Sequence, residues 1–182
     1  MLVEIIKQQH LELRELFMRH QEMLLQMQFE DAKIWLEHFY VCQKAHMKIE
    51  ESYIFPEFAK IERTSKWDVS LYEKEHDKIN QLYENIANDL NWLSEQKLDQ
   101  SQKRRNIIAL LDKEKTLKGL NEHHEEREEE AMLKELDDVY MNICDGADSG
   151  TEAERAKEYK QLQLDIKLTW AEVIASVRET SI

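Results

Sequence analysis

Apolar residues recur along this chain at intervals of three and four, the period of an α-helix packed along one face. Segment A, about residues 2–26, carries Ile6, Leu13, Phe17 and Leu24 on one stripe. Segment B, about 31–60, has Asp31 as its expected N-cap and Trp35, Phe39, Cys42, Ile49 and Tyr53 as its stripe. Pro56 falls inside it. Proline lacks a backbone donor and disfavours helix in the residue before it, so B is expected to kink or end near Phe55. Segment C, about 67–96, is lined by Val69, Tyr72, Ile79, Tyr83, Ala87 and Leu90. The polar run SEQKLDQSQ separates it from segment D, about 102–141, lined by Leu110, Leu117, Leu120, Ala131 and Leu136. CDGADSG is the clearest boundary in the chain, because glycines punctuate helices. A last segment, about 151–180, has Leu162, Ile166, Trp170, Val173 and Val177 in register. The pattern predicts an all-α, up-down-up-down four-helix bundle over residues 1–144 and a loop over 145–150. An additional C-terminal helix over 151–182 either packs on the bundle or makes a homodimer contact.

Composition supports the helical reading and narrows the chemistry. Three glycines and one proline in 182 residues are too few turn residues for a sheet protein of this size. Acidic residues outnumber basic ones by 38 to 25, a net charge of −13. That balance argues against nucleic acid and anionic membrane partners, which need clustered positive charge, and is compatible with holding cations. No apolar run approaches the ~18 residues of a membrane span. The opening MLVEIIKQQH has Glu4 and no basic region, so it reads as the start of the first helix and not as a signal peptide. Cys42 and Cys144 form no Cys-x-x-Cys pair and are expected as reduced thiols in a cytoplasmic protein. There is no nucleophile–base set, no glycine-rich phosphate loop and no zinc-finger spacing.

The histidines change the picture. HMKIEESYIFPEF starts with His46 and places Glu50 one turn later; HEEREEEAML starts with His124 and does the same with Glu128. On a wheel with His46 at zero, Glu50 falls at about 40°, Phe39 at about 20°, and Trp35 and Tyr53 at about −20°. On segment D, with His124 at zero, Glu128, Leu117 and Ala131 take the same three angles. His10 and His76 sit in the middle of the stripes of A and C. All four helices therefore turn a histidine inward, and two also turn a carboxylate inward.

Antiparallel neighbours face each other at positions equidistant from their turn. The midpoint of His10 and His46 is residue 28, that of His76 and His124 is residue 100, and that of Glu50 and His76 is residue 63. All three fall in predicted connections, which puts the six residues at one level. Two carboxylates buried together cost several kcal/mol each unless compensated. No lysine shares these stripes, and Arg14 is the only arginine near the carboxylate angle. A pair of divalent metal ions, each held by two histidines and bridged by both glutamates, would compensate them; iron, manganese or zinc suits such N/O ligands. The acidic run EHHEEREEE otherwise reads as solvated, with Glu125, Glu126, Glu129 and Glu130 outward. His20 and His38 read as surface or boundary residues, His123 as solvent-facing, Cys42 as core, and Tyr53 and Tyr83 as core aromatics.

The order His10, His46-x-x-x-Glu50, His76, His124-x-x-x-Glu128, with EESYIFPEF running into Phe-Pro, resembles the hemerythrin-like, or HHE cation-binding, family over roughly residues 1–141. The resemblance implies a four-helix bundle with a non-haem di-iron centre carrying two carboxylate bridges and an oxo or hydroxo group. It also implies binding of dioxygen, or sensing of oxygen, iron or redox state. The family's oxygen carriers have a fifth histidine one turn past the equivalent of His76, where this chain has Asn80, and end in His-x-x-x-x-Asp, where His123 and Glu128 have the spacing but not the acid. A four-histidine set leaves more open positions and favours sensing, redox or iron-handling roles over oxygen carriage. Two other readings stand beside it. One is a di-iron oxidoreductase turning over peroxide, nitric oxide or ferrous iron. The other is a metal-free helical interaction module.

Overall fold

A computed structural model describes residues 1–145 and 150–179, with the side chains of 143–145 and 150–152 outside that description. The side chain of Cys144 and the expected loop over 145–150 therefore lie largely outside the described residues. Among the described residues every regular element is helical: α1 (Leu2–Leu25), α2 (Phe29–Ile49), α3 (Phe55–Phe58), α4 (Val69–Glu95), α5 (Gln100–Arg127), α6 (Leu133–Asp145) and α7 (Gly150–Glu179). Two five-residue π-helical turns, Glu50–Ile54 and Glu128–Met132, join α2 to α3 and α5 to α6 without a break. The chain is an all-α helical bundle in which α1 packs on α2, α2 on α4, α4 on α5 and α5 on α1. Among the described residues no helix is long and apolar enough to cross a membrane.

The connections explain the boundaries. α1 ends with Met27 in the left-handed region (φ 61°). Gln28 N–H reaches Met23 O, and Met27 N–H reaches Leu24 O, both at 2.9 Å. This double closure satisfies carbonyls that a helix end leaves unpaired. α2 starts two residues before the expected Asp31, which lies in its first turn and is not its cap. α4 is capped by Asp68, whose carboxylate accepts from Leu71 N–H. α5 carries a full capping box between Asp99 and Gln102. The three expected connections around residues 28, 63 and 100 are thus real chain reversals or lie at their edge.

The expected kink near Phe55 takes a different form. The helix changes hydrogen-bond register at Glu50, with Phe55 N–H bonding Glu50 O, and continues through Pro56 to Phe58. Leu133 N–H bonds Glu128 O in the same way, and no proline is nearby, so the register change accompanies the glutamate and not Pro56. A π-turn inserts one residue, so the apolar phase slips by one position. Ile54 and Met132 are fully buried, whereas Tyr53 and Ala131, expected on the stripes, are only half-buried.

α7 packs on the bundle, against α1, α2 and α6. It buries Tyr159, Ile166, Trp170 and Val177. Two hydrogen bonds fix it: Trp170 Nε1 to Glu12 Oε2 at 2.8 Å, and Tyr159 Oη to Asp137 Oδ1 at 2.5 Å. Asp137 also accepts from Leu2 N–H (2.8 Å) and Val3 N–H (3.0 Å), so one buried carboxylate caps α1 from α6. Asp137→Ala leaves those donors without an acceptor and is expected to lower stability by about 2 kcal/mol, read as a lower urea midpoint at unchanged slope.

Candidate metal centre

The six expected residues come together in the bundle core. His10 (α1), His46 (α2) and His76 (α4), His124 (α5) and the two π-turn glutamates Glu50 and Glu128 are each 3 % exposed or less. Their ligating atoms form two groups of four: His10, His46, Glu50 and Glu128, and His76, His124, Glu50 and Glu128, each within 4.8 Å. Both glutamates belong to both groups, and each divides its oxygens between them. Glu50 Oε1 lies 2.9 Å from His46 Nε2, and its Oε2 lies 3.0 Å from His76 Nε2. Glu128 Oε2 lies 3.2 Å from His10 Nε2, and its Oε1 lies 3.2 Å from His124 Nε2.

The opposite ring nitrogens explain this orientation. His10 Nδ1 donates to Glu129 Oε1 (2.8 Å), His46 Nδ1 to Gln9 Oε1 (2.9 Å), His76 Nδ1 to Glu51 Oε1 (2.9 Å) and His124 Nδ1 to Glu75 Oε2 (2.9 Å). Each acceptor comes from a different helical segment, so the four helices hold one another's rings. A proton fixed on Nδ1 leaves the Nε2 lone pair pointing inward, the tautomer a metal needs. The arrangement is pseudo-twofold. Gln9-His10 corresponds to Glu75-His76, and His46-x-x-x-Glu50-Glu51 to His124-x-x-x-Glu128-Glu129.

All eight inward atoms are buried without a hydrogen-bond partner: four Nε2 and the four oxygens of Glu50 and Glu128. Buried polar atoms in folded proteins are almost always paired, so eight orphans at one point call for a ligand that none of the described residues supplies. The residues fit divalent cations well. The donors are imidazole nitrogen and carboxylate oxygen, and the carboxylates span both positions.

Without a cation, protons take over its charge. Burial disfavours the charged form of His10, but the facing carboxylate of Glu128 and the hydrogen bond to Glu129 outweigh it and raise its pKa to about 9. His124 is raised well above the usual range against its own desolvation, by the charge of Glu128, the nearby carboxylate of Glu50 and the hydrogen bond to Glu75. His76 is raised likewise, with burial opposing and Glu50 prevailing. Burial pushes Glu50 upward, but the charge of His46 and the surrounding imidazoles hold it well below the usual carboxylate range. The cluster favours positive charge at both positions.

Aromatic rings wall the site. Phe55 stacks on His76 (5.5 Å between centroids, 23°), Tyr72 meets His124 edge-on (5.8 Å), and Trp170 meets His46 edge-on (6.2 Å). Trp170 comes from α7, so the additional helix completes the wall. A cleft of about 400 Å³ between α1 and α5 is lined by Leu13, Phe17, Phe39 and Glu125, among others.

Several flanking residues sit otherwise than the sequence predicts. Glu125 is buried and paired with Arg14, and burial raises its pKa. Glu129 is half-buried and holds His10, so neither acid is the solvated residue expected, whereas Glu126 is exposed. His20 and His38, expected at the surface or the boundary, are both buried. His20 donates to Ala32 O at 2.8 Å and faces the fully buried Glu114 at 2.9 Å, a partner on α5 that stripe counting overlooked. His123 is exposed beside Glu126, as expected. Cys42 is core, its thiol pushed up to about 12 by burial, and it joins neither ligand group. Tyr83 is a core aromatic stacked on Tyr40, with its hydroxyl donated to Glu37 and not to the centre. Asn80, where the oxygen carriers have a histidine, buries an unpartnered Oδ1.

The two groups of buried histidine and glutamate could each hold a metal ion. Comparison with protein-family models, with curated proteins and with solved structures gives no match for this chain.

Proposed function

We propose that the chain is a hemerythrin-like, non-haem di-iron protein that binds or senses dioxygen or a related small ligand or redox state. The observation that carries this reading is the set of eight orphaned lone-pair atoms, sorted into two ligand groups that share both glutamates. Iron at these positions would supply the electrons for binding or reducing dioxygen; manganese and zinc fit the same donors. The chain's own residues bind the ions through His10, His46, His76, His124, Glu50 and Glu128. They fix ring orientation through Gln9, Glu51, Glu75 and Glu129, and exclude water through Phe55, Tyr72 and Trp170. Each position has two histidines and two carboxylate oxygens, a set that would leave iron coordination positions for exogenous ligands.

The test is metal content and visible absorption of protein purified without oxygen and then exposed to air. About two iron ions per chain and a new absorption band on exposure support the reading. A chain that takes up no metal removes it. A stable oxygenated spectrum favours binding or sensing, and repeated consumption of reductant favours the enzyme.

A further inference from the structure

The ligands and the acceptors behind their rings match between the two halves of the centre except at one place. Where His124 Nδ1 donates to the carboxylate of Glu75, its counterpart His46 Nδ1 donates to the neutral carboxamide of Gln9. The other two acceptors, Glu51 for His76 and Glu129 for His10, are both carboxylates. The position between His76 and His124 thus has two anionic acceptors behind its rings, and the position between His10 and His46 has one.

The surrounding charges do not cancel this difference. At the second-named position, Lys7 lies 3.5 Å from Glu129, and Arg14 pairs with Glu125. At the first-named, Arg127 pairs with Glu75, and Glu51 has no cationic partner besides His76 among the ion pairs of the described residues. Each side thus has one ring acceptor facing a cation, Glu75 with Arg127 and Glu129 with Lys7, and Glu51 is a further acceptor carboxylate on the His76/His124 side. No anion lends charge to Gln9 either, because it is 1 % exposed and its amide nitrogen has no partner.

A carboxylate accepting the Nδ1 proton makes the opposite nitrogen more basic and a stronger ligand; loss of such a partner typically weakens metal binding about 10–100-fold. We propose that the two positions fill in order, and that Gln9 is the positioning residue that sets it. The pocket of His76 and His124 takes the first ion. The pocket of His10 and His46 takes the second, holds it more weakly and is the one that exchanges. This rests on the metal-centre reading above and assigns a division of labour within it, one retained ion and one labile ion.

The test uses the metal-free full chain labelled with nitrogen-15 and titrated with zinc alone, with the histidine ring nitrogens followed by magnetic resonance. The rings of His76 and His124 are expected to shift over the first equivalent, and those of His10 and His46 over the second. The two dissociation constants should be about 10–100-fold apart. Gln9→Glu is expected to narrow that gap by about tenfold through the second ion, and Glu75→Gln to narrow it through the first. Four rings shifting together in the unaltered chain, or His10 and His46 shifting first, overturns the proposal. Zinc that shifts none of the four sinks the metal-centre reading itself, which is a different result from an unordered titration.

Discussion

Glu128→Gln is expected to strip both ions from the protein, whereas His46→Gln is expected to strip one. The glutamine keeps the volume and the π-turn, but it removes the negative charge and offers a single acceptor oxygen where the glutamate offers two. Glu128 Oε1 and Oε2 lie against His124 and His10, one in each ligand group, so the change falls on both positions at once. Replacing an outer partner costs about 10–100-fold in affinity, and a charged ligand shared by two ions should cost more than about 100-fold at each. Removing His46 touches only the group it shares with His10, and the bridging pair stays in place for the other ion. The check is metal per chain after dialysis, with helical content confirmed by circular dichroism. A Glu128→Gln protein that retains one ion would mean that the two glutamates serve separate positions.

That contrast depends on geometry which the sequence largely specified. The four inward histidines and two glutamates were legible because an α-helix repeats strictly over the stretch from Ile6 to Phe17, or from Phe39 to Glu50. The turn at Met27–Gln28 and the capped starts at Asp68 and Asp99 lie near the midpoints that levelled the six residues. Legibility ended where that repeat ends. The π-turns that begin at Glu50 and Glu128 each insert a residue, so Tyr53 and Ala131 lose the buried phase to Ile54 and Met132. A signal was present. Ile54, Phe55 and Phe58, and Met132, Leu133 and Leu136, continue the apolar pattern one residue late in both halves, which a search for phase slips would find.

The acceptors that hold the rings were hidden for a different reason. Gln9, Glu51, Glu75 and Glu129 each adjoin a ligand in sequence, about 100° away on the wheel, where a single helix looks solvent-facing. In a bundle that angle faces the seam with the next helix. Glu51 crosses such a seam to His76 and Glu75 another to His124. One helical wheel cannot show a contact whose partner lies on a neighbouring helix. His20 and Glu114 were missed on the same ground, a buried pair made by two helices that each place their member at the edge of a stripe.

The metal-free protein is expected to lose stability as pH rises from 6.5 to 9, while the metal-loaded protein does not. His10 has an ordinary pKa of 6.5 and, without an ion, a folded value of about 9, set by Glu128 and Glu129 against its desolvation. The folded state therefore binds the proton more tightly than the unfolded chain. Its contribution, on the order of 3 kcal/mol, is present in full below pH 6.5 and is lost as pH climbs through 9. His76 and His124 shift in the same direction and add to the trend. A bound cation takes the place of these protons and has to displace them, so its affinity rises over the same interval. Metal at about 100 times its dissociation constant adds about 2.7 kcal/mol, roughly 5–11 °C in Tm for a chain of this length. The difference in Tm between loaded and chelated protein should start near that value at pH 6.5 and widen toward pH 9. Thermal melts at several pH values, with and without chelator, measure it directly. A difference that stays constant or shrinks over this interval would mean that protons and cations do not compete for the same eight atoms. The compensation argued from the buried carboxylates would then have another source.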